Sequence, residues 1–211
     1  MQLILASTSP RRHELLALLG VVFEACAPSF EEIPLPGLNP LEQVQRFAQE
    51  KARSVARRRP ESLVLGSDTV IECDGVMLGK PVDQTDATRM LTLLAGRAHW
   101  VHTAVALCGI KPLVDAVAVS TAVVRMKPPV ARRIEEYVDT GEPLGKAGAY
   151  SIQGVGGAFI ESVQGDYPGV VGLPLRLTAA LLRDHGVTVP VDLDRLYREK
   201  PYPNWARFTP D

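Results

Sequence analysis

Two arginines stand where the first helix of the chain is expected to begin. Residues 7–12 read STSPRR after a short apolar run, so Ser9 is the expected N-cap and Pro10 the first helical residue. The positive end of a helix dipole repels cations, and each misplaced charge costs roughly 0.3–1 kcal/mol at an exposed site. Either the arginines are simply exposed on a capped helix, or an anion such as phosphate binds there. The groups that would bind it are the hydroxyls of Ser7, Thr8 and Ser9 and the guanidinium groups of Arg11 and Arg12.

A lysine interrupts the apolar face of the second predicted helix. Apolar residues at helical spacing from Leu41 to Val55 form one stripe, and Lys51 falls inside it. A buried lysine without a partner is costly. Two interpretations remain open: the stem packs while the ammonium reaches solvent, or the ammonium is held over an anionic pocket.

A predicted hairpin brings a carboxylate, a hydroxyl and an amine to one end. With residues 74–75 as a two-residue turn, Thr69 comes opposite Lys80, and Asp68 lies at the same end. Strict alternation would point Asp68 to the other face, so a shared site requires a bend or bulge near residues 66–67. The alternative is an ordinary ion pair at a strand end, worth roughly 0–1 kcal/mol.

Together these groups indicate an enzyme that acts on a polyphosphate with the help of a divalent cation. The cationic set is Arg11, Arg12, Lys51 and Lys80, with Lys146 as a further candidate. The acidic set is Glu32 and Asp68, with Glu31 as a further candidate.

The elements that must position these residues alternate between strand and helix, which predicts an α/β fold with a mixed sheet. The predicted strands are 2–6, 21–33 in its first part, 62–81 as a hairpin, 99–108, 113–125, 158–163 and 167–171. The predicted helices are 10–19, 39–59, 83–96, 128–141 and 173–186, followed by an extended tail over 187–211.

Composition excludes several classes of protein. The 211 residues carry a formal net charge of −1, so no global basic field predicts nucleic-acid binding. No run of about 18 apolar residues is present, so no membrane span is expected. Three scattered cysteines form no metal-binding spacing and no disulfide framework, which is typical of a reducing cytoplasm.

Blocks of sequence in a fixed order carry a resemblance that spans about residues 2–185. They are LASTSPRRHELL at 5–16, EKA at 50–52, GSDTVIECDG at 66–75, LGKP at 78–81, KAGAYSIQGVGGAFIESVQGDY at 146–167 and VVGLPL at 170–175. In these blocks the chain resembles the Maf family of nucleotide pyrophosphatases. The resemblance predicts a Maf-like domain over 1–186 and a C-terminal extension over 187–211.

The resemblance implies an elongated mixed β-sheet flanked by helices, with two lobes around a cleft, as in the inosine-triphosphate pyrophosphatases. It also implies a house-cleaning hydrolase that cuts a nucleoside triphosphate between its α and β phosphates. Such enzymes need a divalent metal cation, Mg²⁺ or Mn²⁺, act in the cytoplasm on a small nucleotide, and are often homodimers.

Three positions resemble the dTTP/UTP branch of the family: Arg11, Thr69 and Gln153. The branch that acts on 7-methyl-GTP carries tryptophan, glutamine and glutamate there. A neutral glutamine amide can offer a donor and an acceptor to a pyrimidine edge. Two alternatives stay open: a pyrophosphatase for 7-methyl-GTP, and a nucleotide-binding regulator of cell division and septum formation with little turnover.

The resemblance, taken with the residue chemistry, gives each candidate a role. Asp68 activates the attacking water, with Lys51 and Lys80 as further catalytic residues. Glu32 and Asp68 hold the metal. The substrate-binding residues are Ser7, Ser9, Arg11, Arg12, Thr69 and Gln153.

Overall fold

Seven strands form one mixed sheet flanked by helices, as the alternation of elements predicts. The computed structural model describes residues 1–128 and 130–209. The strands are β1 (Gln2–Ala6), β2 (Glu24–Cys26), β3 (Ser62–Cys73), β4 (Val76–Leu78), β5 (Ala98–Gly109), β6 (Val114–Met126) and β7 (Ile160–Gln164). The helices are α1 (Pro10–Ala17), α2 (Pro40–Ala56), α3 (Gln84–Leu94), α4 (Ala131–Asp139), α5 (Tyr167–Val171), α6 (Leu175–Asp184), α7 (Leu193–Glu199) and α8 (Trp205–Phe208).

The strand order is β2-β1-β3-β5-β6-β7, and β4 pairs with β3 outside this path. β1 runs parallel to both β2 and β3, whereas β4 is antiparallel to β3 and β7 is antiparallel to β6. The sheet therefore combines parallel crossover units with hairpins, and the expectation of a mixed α/β fold is confirmed.

The chain divides into two compact units, which are described separately below. The first unit contains Met1–Asp68, Thr103–Ser120 and Gly172–Lys200. The second unit contains Thr69–His102, Thr121–Val171 and Pro201–Asp211. Seven of the sequence-predicted site residues belong to the first unit and three to the second.

In the first unit, helix α2 packs against the parallel strands β1 and β3. The helix begins with a capping box, in which Asn39 and Glu42 satisfy each other's backbone N–H groups, and with Pro40 in its first turn. Its inner face contributes to an apolar cluster that excludes water from the base of the site. The cluster comprises Ile4, Ala6, Ala52, Val55, Ala56, Val64 and Cys108.

The helix and strand β3 approach most closely at Gly66. A Cβ atom at this position would lie 2.2 Å from the carbonyl oxygen of Ala48 and 2.9 Å from the backbone nitrogen of Ala52. No side chain fits against backbone at that distance, so only glycine permits this approach. Asp68 lies two residues further along β3, and its carboxylate contacts Lys51 of the same turn of α2.

The predicted hairpin is present with the predicted register. Cys73 pairs with Val76, and the described ladder continues to Ile71 and Leu78. The turn residues Asp74 and Gly75 have φ angles of 49° and 77°, as a type I′ turn requires.

Two expectations about secondary structure are wrong. Residues 167–171 form helix α5 rather than a strand. All five residues are buried, so the sequence has no alternation of apolar and polar positions that would indicate a helix. The segment 187–211 is not extended throughout, because it contains α7 and α8; residues 210–211 lie outside the described part. Among the helices of the described residues, none is long and apolar enough to cross a membrane.

Candidate active site

The loop between β1 and α1 presents hydroxyl groups and backbone N–H groups at a helix N-terminus. Ser9 is the N-cap residue and Pro10 begins the helix, as predicted. The Ser9 side chain makes no capping bond; instead its backbone N–H donates to the Ser7 hydroxyl at 3.1 Å. No acidic residue occupies the first turn of α1. This helix end therefore keeps its positive partial charge directed at the loop.

Arg12 is held inside the first unit rather than exposed to solvent. Its Nε donates to the carbonyl oxygen of Gly172 at 3.0 Å, and one terminal nitrogen lies 3.7 Å from Asp68 Oδ1. The side chain is 13% exposed. Burial lowers the pKa of Arg12; Asp68 and Glu32 oppose this effect, and the neighbouring Arg11 adds to it. The interpretation of two exposed arginines is thus wrong for Arg12, while Arg11 is half-buried beside it.

Lys51 lies between two carboxylates. Its Nζ is 2.5 Å from Asp68 Oδ1 and 2.6 Å from Glu32 Oε1. Lys51 is 5% exposed and Asp68 is 4% exposed, whereas the side chain of Glu32 is 29% exposed. The ammonium does not reach out to solvent, so the snorkelling interpretation is wrong. The proximity of Gly66 to helix α2 explains why a strand residue and a helix residue can meet at this distance.

Ser67 links the strand that carries Asp68 to the carbonyl group that holds Arg12. Its hydroxyl lies 2.9 Å from the carbonyl oxygen of Ala104 and 3.0 Å from that of Gly172, and the residue is fully buried. One hydroxyl proton can serve only one of these acceptors at a time. Local spacing did not predict the contact between Ser67 and Gly172, because the two residues lie 105 positions apart in the chain.

The segment that carries Glu32 is attached side by side to α2 and the residues just after it. We call residues 27–35 the strap. Five side chains hold it at intervals. The strap and the helix run in opposite directions, so later residues of the strap contact earlier residues of the helix. The contacts are Arg58 to Ala27 O at 2.7 Å, Ser29 N to Ser54 Oγ at 3.1 Å, Lys51 to Glu32 at 2.6 Å, Arg46 to Ile33 O at 3.2 Å and Gln43 to Leu35 O at 2.6 Å. Glu32 is therefore positioned by the helix that also carries Lys51.

The second unit contains the other three predicted site residues. Thr69 is half-buried on β3, and Lys80 is exposed just after β4. Gln153 is half-buried, yet its Oε1 atom is fully buried and has no hydrogen-bond partner among the described residues. An unsatisfied acceptor of this kind is expensive. If the half-buried side chain turns outward, a ligand that donates a hydrogen bond to Gln153 Oε1 would remove this cost.

Side chains from other elements fix the loop around Gln153. The Glu142 carboxylate accepts bonds from the Tyr137 hydroxyl at 2.9 Å and from the backbone N–H groups of Val155 and Gly156, each at 3.0 Å. Burial alone would raise the pKa of Glu142, but these bonds hold it below its usual value. The Tyr137 hydroxyl in turn accepts from Ser151 N at 3.1 Å. Sequence reasoning missed Glu142, because its partners lie 5, 13 and 14 positions away in the chain and local spacing does not reveal them.

Lys146, the further cationic candidate, donates from Nζ to the carbonyl oxygen of Glu142. Glu31, the further acidic candidate, is exposed. Within residues 1–128 and 130–209, no group of three or more His, Cys, Asp or Glu side chains is arranged to hold a metal ion. The acidic site thus consists of the two carboxylates that share the Lys51 ammonium.

The structure brings together seven of the predicted residues within the first unit. These are Ser7, Ser9, Arg11, Arg12, Glu32, Lys51 and Asp68. Thr69, Lys80 and Gln153 belong to the second unit, and a common site for both groups stays a prediction. The predicted domain from 1 to 186 and extension from 187 to 211 also stay predictions.

Known proteins match this chain over most of its length. The family model for Maf-like protein matches residues 2–185. A dTTP/UTP pyrophosphatase of Symbiobacterium thermophilum is 47% identical over 188 residues, which are 89% of this chain and 96% of the relative. Relatives of the same name from Bordetella parapertussis and Anaeromyxobacter dehalogenans are 46% and 50% identical, and each match covers 90% of this chain and 95% and 96% of the relative.

A solved structure, that of the Staphylococcus aureus Ham1 protein, aligns with a TM-score of 0.41 and 12% identity over 60% of this chain and 72% of that chain. The assignment rests on the sequence relatives alone. The family model spans the serine–arginine loop, Lys51, Asp68 and Gln153. The chain belongs to the Maf family.

Proposed function

We propose that this chain hydrolyses dTTP and UTP between the α and β phosphates, releasing the nucleoside monophosphate and pyrophosphate. The proposal is carried by the buried carboxylate of Asp68, which lies between the ammonium of Lys51 and the guanidinium of Arg12 in a chain whose relatives are named for this activity. Phosphoryl transfer requires positioning and charge stabilisation more than covalent chemistry. An acid surrounded by phosphate-binding cations meets that requirement.

The first unit supplies the phosphate site and the proton acceptor. The N-terminus of α1, the hydroxyls of Ser7 and Ser9, and the side chains of Arg11 and Arg12 bind phosphate oxygens. Asp68 accepts the proton of the attacking water, because it is the buried carboxylate nearest to these groups. Lys51 keeps Asp68 and Glu32 together and stabilises negative charge beside them.

Glu32 and Asp68 fit a divalent cation by the chemistry of their donors. Both are carboxylates, the ligand type that Mg²⁺ and Mn²⁺ prefer, and they are close enough to share one ammonium. When bound, the ion would neutralise charge on the phosphate oxygens of the leaving group. We propose Mg²⁺ or Mn²⁺ as the cofactor on this basis.

The second unit supplies the contact that selects the base. Thymine and uracil both carry an N3–H donor, and Gln153 Oε1, which is buried and unsatisfied in this structure, would receive it once the half-buried side chain turns toward the base. Cytosine lacks that hydrogen, so its triphosphate leaves the acceptor unsatisfied. Thr69, as a substrate-binding residue, and Lys80, as a catalytic residue, belong to the same unit as Gln153 in this proposal.

We infer that the enzyme acts as a cytoplasmic homodimer. The resemblance to the family supports both statements, and the three free cysteines are compatible with a reducing compartment. Analytical ultracentrifugation at several concentrations measures the subunit number directly.

A substrate screen tests the proposed reaction. The purified chain is incubated with Mg²⁺ and dTTP, UTP, CTP or 7-methyl-GTP, and the products are separated by ion-exchange chromatography. We expect monophosphate and pyrophosphate in equal amounts from dTTP and UTP, and much less from the other two. Release of diphosphate and orthophosphate would contradict the assigned bond. No cleavage of any triphosphate would favour a binding regulator, and a preference for 7-methyl-GTP would remove Gln153 from base selection.

Two variants locate the chemistry and the selectivity. Asp68→Asn is expected to keep nucleotide binding, measured by calorimetry, but to lose most turnover. Gln153→Glu is expected to lower activity on dTTP and UTP, because a carboxylate suits the positive charge of a methylated guanine better than a neutral pyrimidine. Unchanged turnover in the first variant or unchanged selectivity in the second would remove that residue from its role.

A further inference from the structure

The C-terminal segment over residues 201–209 lies beyond the family match, which ends at residue 185. It is nevertheless well packed within the second unit. Trp205 and Phe208 are buried, and their rings stack on Tyr167 at centroid distances of 6.1 and 6.2 Å. The Tyr167 hydroxyl donates to the carbonyl oxygen of Pro203 at 2.5 Å. These contacts fix the residue that lies between Pro203 and Trp205.

That residue is Asn204, and its side chain reaches the loop that carries Gln153. Asn204 Nδ2 donates to the carbonyl oxygen of Ile152 at 3.0 Å. The Ile152 carbonyl and the Gln153 N–H belong to the same peptide group. The bond from Asn204 therefore fixes the orientation of the peptide plane next to the Cα atom of Gln153.

The backbone at both partners is adapted to this contact. Asn204 has a φ angle of 63°, in the left-handed region where asparagine is better tolerated than most residues. On the loop side, a Cβ atom at Gly157 would lie 3.2 Å from Asn204 Nδ2 and 2.5 Å from the Ile152 carbonyl oxygen. A glycine at 157 leaves the space in which the amide and the carbonyl meet.

The other anchors of the loop come from the family-matched region. Tyr137 holds Ser151, and Glu142 holds Val155 and Gly156. Asn204 adds an anchor on the carbonyl just before Gln153, between these two attachments. The C-terminal segment thus contributes to the geometry of an amide whose acceptor atom is buried and unsatisfied.

We propose that Asn204 is a positioning residue for base selection: the C-terminal segment aims the Gln153 amide at the pyrimidine through the Ile152 carbonyl. This proposal rests on the function proposed above. It concerns the base and not the phosphates, so loss of the Asn204 bond weakens recognition of UTP and leaves binding of a base-free polyphosphate unchanged.

The test uses two variants that keep the left-handed backbone accessible. Asn204→Asp has nearly the same size, but its carboxylate cannot donate to the Ile152 carbonyl. Asn204→Gly adopts a positive φ freely and removes the amide altogether. Thr209→Val is the matched control, because it removes the hydrogen bond from the Thr209 hydroxyl to the carbonyl oxygen of Trp205 in the same segment and retains the stacked rings, Tyr167 and Asn204. Melting temperatures of all three variants report whether the segment stays folded.

The readouts are kcat and KM for UTP and the inhibition constant of inorganic tripolyphosphate against UTP. For both Asn204 variants we expect kcat/KM on UTP to fall about tenfold, equivalent to about 1.4 kcal/mol, mainly through KM. The inhibition constant of tripolyphosphate is expected to stay within about twofold, since this inhibitor has no base for Gln153 to contact. Thr209→Val is expected to change neither quantity.

The variant Gln153→Ala separates failure of this proposal from failure of the proposed function. If Gln153→Ala leaves kcat/KM on UTP unchanged, the base contact itself is wrong, and the positioning role falls with it. If Gln153→Ala reduces it but the Asn204 variants do not, only the role of Asn204 is overturned. Equal weakening of UTP and tripolyphosphate would also overturn it. With Gln153→Ala as background, Asn204→Asp is expected to add no further loss.

Discussion

Replacement of Lys51 by methionine removes the ammonium that two carboxylates share. Methionine keeps the length and apolar character of the stem, so the packing of α2 is largely conserved. What changes is charge: Asp68, 4% exposed, keeps only the more distant guanidinium of Arg12 at 3.7 Å, while Glu32, 29% exposed, can turn toward water. The variant therefore measures the free-energy cost of a buried carboxylate that has lost its main partner.

The magnitude follows from burial. Removal of one partner of a buried ion pair costs about 3–5 kcal/mol, because the remaining charge is left desolvated. Arg12 and the exposure of Glu32 reduce this cost, so we expect the lower end, about 3 kcal/mol. For a chain of this size about 1 kcal/mol lowers the melting temperature by 2–4 °C, which predicts a decrease of about 6–12 °C. Asp68→Asn leaves Lys51 paired with Glu32 and is expected to cost about 2 kcal/mol.

A double-mutant cycle is the assay. The free energies of unfolding of Lys51→Met, Asp68→Asn and the double variant are measured by urea denaturation followed by circular dichroism. We expect the double variant to lose less than the two single variants together, with a coupling of about 1–2 kcal/mol. The same helix provides the control pair Arg53–Asp115, whose atoms also lie 2.5 Å apart but whose side chains are 36% and 44% exposed. The cycle of Arg53→Met with Asp115→Asn is expected to give less than about 1 kcal/mol.

The two pairs have the same distance between their charged atoms and differ in burial, so the comparison of their coupling energies tests the effect of burial. A coupling for Lys51 and Asp68 no larger than that for Arg53 and Asp115 would refute the reasoning from burial. A melting temperature of Lys51→Met equal to that of the unmodified protein would refute the assignment of Lys51 as the partner of the buried acid.

Three further predictions follow from other contacts. Burial lowers the pKa of His99 from 6.5 to about 4, so between these pH values the unfolded chain binds a proton at His99 and the folded chain does not. The free energy of unfolding should therefore fall by roughly 3 kcal/mol as the pH is lowered from 6.5 to 4. The variant His99→Gln should lack this part of the pH dependence of the melting temperature. Glu142→Gln is expected to raise KM for UTP more than it lowers kcat, because the amide accepts fewer hydrogen bonds from the loop at Gln153. Steady-state kinetics measure both constants, and changes of equal size in KM and kcat would contradict this prediction. Gly66→Ala is expected to destabilise the protein by about 3 kcal/mol or more and to abolish most pyrophosphate release, since its Cβ would displace α2 from β3; normal stability and turnover together would contradict the close approach.

The sequence predicted the first unit's site well where local patterns carry the information. The N-cap position of Ser9, the type I′ turn after Cys73 and the lysine within the α2 stripe each follow from spacing. What spacing could not predict was the partner of Lys51. Almost every residue of β3 is buried, so alternation gives no indication of which way Asp68 points.

The second unit was harder to predict for a related reason. Helix α5 is buried on all sides, and only its Asp166 cap, which accepts from Gly169 N at 2.9 Å, together with an early proline, marks it as a helix. The role of Asn204 depends on a contact with Ile152, 52 positions away in the chain. Contacts over such separations have no periodicity, so no local pattern reveals them.

The attachment of the strap to α2 has a consequence for anyone who exchanges parts between related enzymes. Because four anchors lie in order along α2 and the fifth, Arg58, lies just after it, a single residue inserted in the middle of α2 would rotate the later helical anchors by about 100° relative to the earlier ones. The anchors on the two sides of the insertion could then no longer hold the strap together, and Glu32 would lose its position beside Lys51. A chimera that keeps the acidic pair intact must transplant residues 27–58 as one cassette, with both halves taken from the same donor.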